Sequence, residues 1–220
     1  QLDPARTGNS EFTRVLASAP LPLPVTVALD ALAVVEEKGL DDTDALLKLA
    51  ERYPQAEAPI KTFVRSVRLY RLTGGHAAFS RALHARLEGV SDSIAPLAGL
   101  RVADWIGLAE EAGISPGLAL HTQAQAERQY PLAALESKVH AGTFDFPSVS
   151  GGDVAALIKN QPAMAEKLLL GKTPVKAEES TTHTVLRNTG RFMRAGVSME
   201  LAANLIKGGI SSPGKALLYG

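Results

Sequence analysis

IKTFVRSVRLYRLTGGHAAFSRALHARL, residues 60–87, decides how the chain is read. Phe63, Val67 and Tyr70, then Phe79, Leu83 and Leu87, recur at spacings of three and four, which is the period of one buried helix face. Gly74 and Gly75 interrupt that rhythm, so the stretch predicts two helices joined by a tight turn. It holds no Asp or Glu, but it carries Lys61, Arg65, Arg68, Arg71, Arg81 and Arg86.

Working outward, the same period governs nearly every other segment. Val25 to Lys38 predicts a helix stopped by Gly39, and Thr43 to Tyr53 another, with Asp42 or Thr43 as N-cap and an inner stripe of Leu46, Leu47, Ala50 and Tyr53. Towards the N-terminus, prolines at 4, 20, 22 and 24 leave room only for a short helix around Phe12 to Ala19. Beyond the opening pair, Ser91 to Leu97 predicts one short turn. A helix follows, opening near Leu100 to Asp104 with Trp105, Leu108 and Ala109 inward and Gly113 as its stop. Thr122 to His140 predicts the longest helix, broken near Gln129 by Pro131. Residues 142–152 read as loop, with 143–149 the nearest thing to an extended segment. Further helices are expected at Asp153–Lys159, Pro162–Leu170, Ser180–Met193 and Met199–Lys207, the last capped by Ser198, with a final turn from Pro213 to Leu218.

The expectation is therefore an all-α fold of about ten short helices in an irregular, repeat-like helix-turn-helix bundle. Its divisions are an extended or partly ordered segment 1–24, a helical subdomain 25–142, a loop 143–152, and a second helical subdomain 153–220 packed on the first. An internal echo supports a repeat: a shift of 123 residues lays Phe63 on Leu186, Arg68 on Arg191, Leu69 on Phe192, Arg71 on Arg194, Leu83 on Ile206, Leu87 on Ile210 and Ile94 on Leu217.

Composition removes several function classes. Lys+Arg and Asp+Glu balance at 23 each, so no global field favours nucleic acid or an anionic surface. With no cysteine there is no disulfide framework, thiolate metal site or thiol nucleophile. No apolar run approaches the roughly 20 residues of a membrane helix. Starting at Gln1 and ending on LLYG, the chain reads as a piece of something longer, with a turn-rich opening.

Each candidate motif has a structural alternative. The run 60–87 has six cations and no acid, and Arg65, Arg68, Arg71, Arg81 and Arg86 form a candidate surface for an acidic protein or nucleic acid. However, residues 30–57 hold eight acids against three bases, so adjacent helices of opposite sign facing each other is the preferred explanation. Gly171-Lys172-Thr173 lacks the glycine a phosphate loop requires at position 166, which is Glu166, and follows a helix instead of a strand. Ser150 lacks the glycine a nucleophile elbow needs at position 148, which is Ser148. His76, His84, His121, His140 and His183 show no metal-ligand spacing and read as surface or capping residues. Asp104 beside Trp105 reads as a helix-start carboxylate next to a core indole. Glu110, Glu111 and Glu127 form no acid/base pair. No catalytic residue, metal site or cofactor site is predicted.

Four stretches nevertheless resemble one family. They are LAGLRVADWIGLAEEAGISPG (97–117), ERQYPLAALESKV (127–139), VAALIKNQPAMAEKLLLGKTPV (154–175) and LRNTGRFMRAGVSMELAANLIKGGISSPGKALLYG (186–220), with 63–97 as a looser version of the last. They are similar to the short-helix-xDW, Tyr-Pro-helix, Asn-x-Pro and Gly-Ile-x-Ser segments of the A subunits of insecticidal toxin complexes (Tc toxins). NQP stands here where that pattern has a plain Asn-Pro, and the residues before 25 have no counterpart. The resemblance implies a secreted, non-enzymatic piece of the α-helical outer shell of a pore-forming virulence factor. In that family the A subunit is a homopentamer that encloses a translocation channel, recognises a host surface receptor and docks the B and C components carrying the toxic enzyme. The shell contributes no catalytic residue to carry over.

Overall fold

The computed structural model describes residues 10–91, 93–142, 149–170 and 180–216. The chain is all-α, with no strand among the described residues. Contacts divide it into two compact units, residues 1–94 with 106–118, and residues 95–105 with 119–220. The expected dividing loop, 143–152, lies within the span of the second unit, and its residues 143–148 fall outside the described set.

The first unit is built on the helix that opens the 60–87 stretch. Its elements are α1 (Ser10–Ser18), α2 (Val25–Lys38), α3 (Thr43–Leu47), α4 (Leu49–Arg52), α5 (Glu57–Leu72) and α6 (Ala77–Leu87). Ile60, Phe63, Val64, Val67 and Tyr70 of α5 are each at most 3% exposed. α1, α3, α4 and α6 all pack on α5. Phe12 of α1 meets Phe63 edge to face, with ring centroids 5.5 Å apart. Because α5 is covered on most sides, one stripe remains for polar residues. Lys61, Arg65, Arg68 and Arg71, spaced by four, three and three, occupy it.

The helix predicted over Thr43–Tyr53 is two pieces. Asp42 caps the first by accepting from the Ala45 N–H at 2.9 Å. At Lys48 the bonding tightens, and Glu51 N–H reaches back three residues to the Lys48 carbonyl. The inner stripe changes accordingly: Leu46 and Leu49 are buried, whereas Leu47, Ala50 and Tyr53 are half-buried.

The helices α7 (Val102–Glu111) and α8 (Pro116–Gln129) each contribute residues to both units. α8 begins at Pro116, six residues before the predicted Thr122, and ends where Pro131 removes the next amide donor. In the second unit follow α9 (Pro131–His140), α10 (Gly151–Asn160), α11 (Pro162–Leu169), α12 (Thr181–Arg194), α13 (Met199–Lys207) and α14 (Pro213–Ala216). The predicted short turn at Ser91–Leu97 is instead a 3-10 segment at Ala95–Gly99, which packs on α9. α12 lies against α11 and α13. At Gly190 the approach to α11 is so close that a Cβ would overlap the Leu169 carbonyl oxygen and lie 2.6 Å from that of Leu168. Only glycine fits there.

One joint recurs. After α5, α7, α12 and α13 the chain reads TGGH (73–76), AGIS (112–115), AGVS (195–198) and GGIS (208–211). In each, the second residue is a glycine with φ between 63° and 90°. Its N–H bonds three residues back, and the next N–H bonds five residues back, as in Gly75 to Tyr70 (2.8 Å), Ile114 to Ala109 (2.9 Å), Val197 to Phe192 (3.2 Å) and Ile210 to Leu205 (3.0 Å). This is the Schellman arrangement, which satisfies the last helical carbonyls and turns the chain. Burial follows the 123-residue echo over α5 and α12 but not beyond, since Leu83 and Leu87 are buried whereas Ile206 and Ile210 are half-buried. Phe63 and Leu186, Leu69 and Phe192, and Tyr70 and Met193 are buried, while Arg71 and Arg194 are exposed.

Candidate functional site

The five arginines singled out from the sequence lie on α5 and α6 of the first unit. On the polar stripe of α5, Lys61 pairs with Glu57 at 2.7 Å. Arg65 donates through Nη1 to the Ser91 carbonyl (2.7 Å) and through Nε to His84 Nε2 (3.1 Å). Arg68 Nη2 donates to Thr43 Oγ1 at 3.3 Å. Arg71 bridges Glu11 of α1 (3.0 Å) and Asp41 in the α2–α3 connection (2.5 Å). Burial works against its charge, and the two carboxylates overcome that, so its pKa is raised. Arg81 and Arg86 are exposed on α6, and among the described residues neither forms an ion pair within the chain. Thus Arg65, Arg68 and Arg71 are brought to neighbouring elements of their own unit, whereas Arg81 and Arg86 face solvent.

One carboxylate of the acidic stretch before α5 is likewise tied down. Asp30 of α2 accepts from Tyr53 Oη and pairs with Arg52, both at 2.7 Å. The bond to Asp30 raises the Tyr53 pKa by favouring the protonated phenol. Arg52 also sits over the Tyr53 ring, 5.4 Å from its centroid.

In the second unit the most deeply buried charge is Glu127, which sequence reasoning set aside. It is 0% exposed on the last full turn of α8. Its Oε1 accepts from Gln123 Nε2 at 3.1 Å and pairs with Lys138 Nζ of α9 at 3.2 Å. Its Oε2 accepts from the backbone N–H of Met199 at 2.6 Å. Met199 is the first residue of α13, so the carboxylate sits where an unsatisfied helix amide and the positive end of the helix dipole favour it. One buried ion therefore links α8, α9 and α13. Three donors on its oxygens hold these helices together.

Several of the remaining candidates have structural roles. Ser150 caps α10 and forms a full capping box with Asp153, so the helix starts at Gly151, two residues before the predicted Asp153. Asp104 accepts from the Arg101 N–H (3.0 Å) at the start of α7, and Trp105 is buried, as predicted. The histidines are scattered. His76 stands at the N-cap of α6, His121 bonds Gln125 at 2.8 Å, and His140 ends α9. His183 lies in the first turn of α12. His84 departs from the surface or capping role expected of it: it is 4% exposed, on the inner face of α6. Gly171, Lys172 and Thr173 lie outside the described residues. Among the described residues no three His, Asp or Glu side chains gather in a way that would hold a metal ion, and no helix is long and apolar enough to cross a membrane. No protein-family model, curated protein or solved structure matches the chain.

Proposed function

We propose that this chain is a non-enzymatic helical scaffold segment. On the resemblance set out above, it is a stretch of the α-helical shell of a secreted, pore-forming, toxin-translocating A subunit. It acts by packing against other domains of its parent chain, within a homopentamer that engages a host receptor and the B and C components. One observation carries the scaffold reading: in each unit, charged side chains bridge neighbouring helices. Glu127 and Lys138 tie α8, α9 and α13, while Arg65, Arg68 and Arg71 tie α5 to its neighbours. Groups so committed organise a wall. The test is electron microscopy of the full protein encoded by the reading frame that contains this segment. A pentamer with these helices in its outer wall is expected. A monomer, or a stoichiometric metal or nucleotide co-purifying with the chain, overturns the reading.

A second reading, an independent helical-repeat adaptor that binds an acidic protein or nucleic acid, draws on Arg81 and Arg86 facing solvent. It requires salt-sensitive binding to duplex DNA or polyglutamate that is lost in R81A/R86A. Those two positions discriminate better than Arg65, Arg68 and Arg71, whose replacement would disturb the unit itself.

A further inference from the structure

The bond between Arg65 and His84 constrains more than packing. A guanidinium has only donors, so His84 Nε2 must present its lone pair, and the ring is neutral with its proton on Nδ1. The same guanidinium holds the Ser91 carbonyl at 2.7 Å, fastening the chain that leaves α6 to α5. Among the described residues, the Val90 and Ser91 amides bond back to the Leu87 carbonyl (3.0 and 3.3 Å), and Arg65 gives this departing segment a long-range hydrogen bond through Ser91.

We propose that Arg65 and His84 form an acid-released latch: at neutral pH the imidazole holds the guanidinium and through it Ser91, and a proton on Nε2 sets donor against donor and frees the segment after α6. The charges around the ring favour this behaviour. From α5 it faces Arg65, a permanent cation that repels a second one. From the end of its own helix it meets Glu88, whose pull favours protonation only weakly. α1, the other helix packed on α6, carries Glu11, already paired with Arg71, and Arg14, and neither acts on the ring. Arg81 and Arg86 of α6 point to solvent. Burial first, and Arg65 second, lower the pKa of His84; bonding to the Thr62 carbonyl and the charge of Glu88 oppose them without reversing the shift.

The sign follows. Above the ordinary histidine value near 6.5 the ring is neutral whether the latch is closed or open. As pH falls below that value, the open state takes up the proton first, so closure weakens until the closed ring protonates as well. One proton gives at most about a tenfold change in the opening equilibrium per pH unit. The latch does not depend on the scaffold reading, and either can fail alone.

The experiment is an NMR titration of the intact chain from about pH 7.5 to 5, the window around and below the histidine value. It follows the His84 ring, the Arg65 Nε–H and amide exchange of residues 88–91 corrected for intrinsic rates. Expected are a protected Arg65 Nε–H that is lost as His84 titrates, and opening of 88–91 that rises by up to about tenfold per unit. In His84→Gln, whose carbonyl accepts at every pH, that rise is abolished. The proposal is overturned if opening of 88–91 ignores pH while His84 titrates, or if His84 titrates at the ordinary histidine value with the Arg65 signal unchanged. Should His84→Gln fail to fold, the wild-type titration alone decides.

Discussion

Replacing Gly190 by alanine tests the close approach of α12 to α11. Alanine is the better helix former by about 0.8–1.0 kcal/mol, so propensity alone predicts stabilisation. The new Cβ, however, would overlap the Leu169 carbonyl oxygen and lie 2.6 Å from that of Leu168. Both are backbone atoms at the end of α11, so no side chain can swing aside. Restoring ordinary carbon–oxygen separation requires α11 and α12 to part by roughly an ångström, and the contacts beside them weaken with the gap. Overpacking typically costs about 1–3 kcal/mol, and a backbone clash belongs at the upper end. The net expectation is a loss of about 2 kcal/mol, which lowers Tm by roughly 4–8 °C for a chain of this length. Gly107 on α7 supplies the control, because a Cβ there meets nothing within 4 Å. Gly107→Ala should gain about 0.5–1 kcal/mol. Urea denaturation followed by far-UV circular dichroism measures both. If Gly190→Ala is as stable as Gly107→Ala, the inferred contact between α11 and α12 is wrong.

Glu127→Gln leaves Lys138 buried without its counter-charge, and should cost about 3–5 kcal/mol in urea unfolding; a loss under about 1 kcal/mol would show the ion to be dispensable. Replacing both partners, as in E127L/K138M, should recover most of that loss, since an apolar pair carries no uncompensated charge. Ser150→Ala removes one half of the α10 capping box and should destabilise by about 1 kcal/mol, read as faster amide exchange in the first turn of α10. Arg71→Ala breaks two exposed ion pairs, and its cost should stay below about 1 kcal/mol and shrink in 1 M salt; a larger, salt-independent cost would contradict the geometry.

Elements bounded by strong local signals were legible from the sequence. α2 ends against Gly39 and α13 begins after Ser198, and both match their predicted spans because a cap acts within one turn. The start of α8 was missed because its inner positions are Ala119, Thr122, Gln123, Ala126 and Glu127, which are too small or polar to display a helical period. The Ser115-Pro116 pair was the available signal. Glu127 could not be foreseen for a different reason. Its partners come from α9 and α13, and the Met199 amide lies 72 residues away, so only the tertiary fold unites them. His84 was more accessible to reasoning. With Ser80, Leu83 and Leu87 it completes the inner stripe of α6, and a polar residue on such a stripe calls for a buried partner. The basic run misleads most readily: its charge density is plain in the sequence, but Arg65, Arg68 and Arg71 bond to neighbours that appear only once the helices are assembled.

The four glycine joints have a consequence for how such a chain comes together. Each closes through bonds spanning no more than five residues, so the direction in which one rod leaves the last is settled locally, before distant partners are found. Contacts of short sequence separation form with little loss of chain entropy and favour rapid assembly. A rod inserted between two such corners would inherit its heading from them, and a chain of this design can lengthen by whole modules without relearning how to turn.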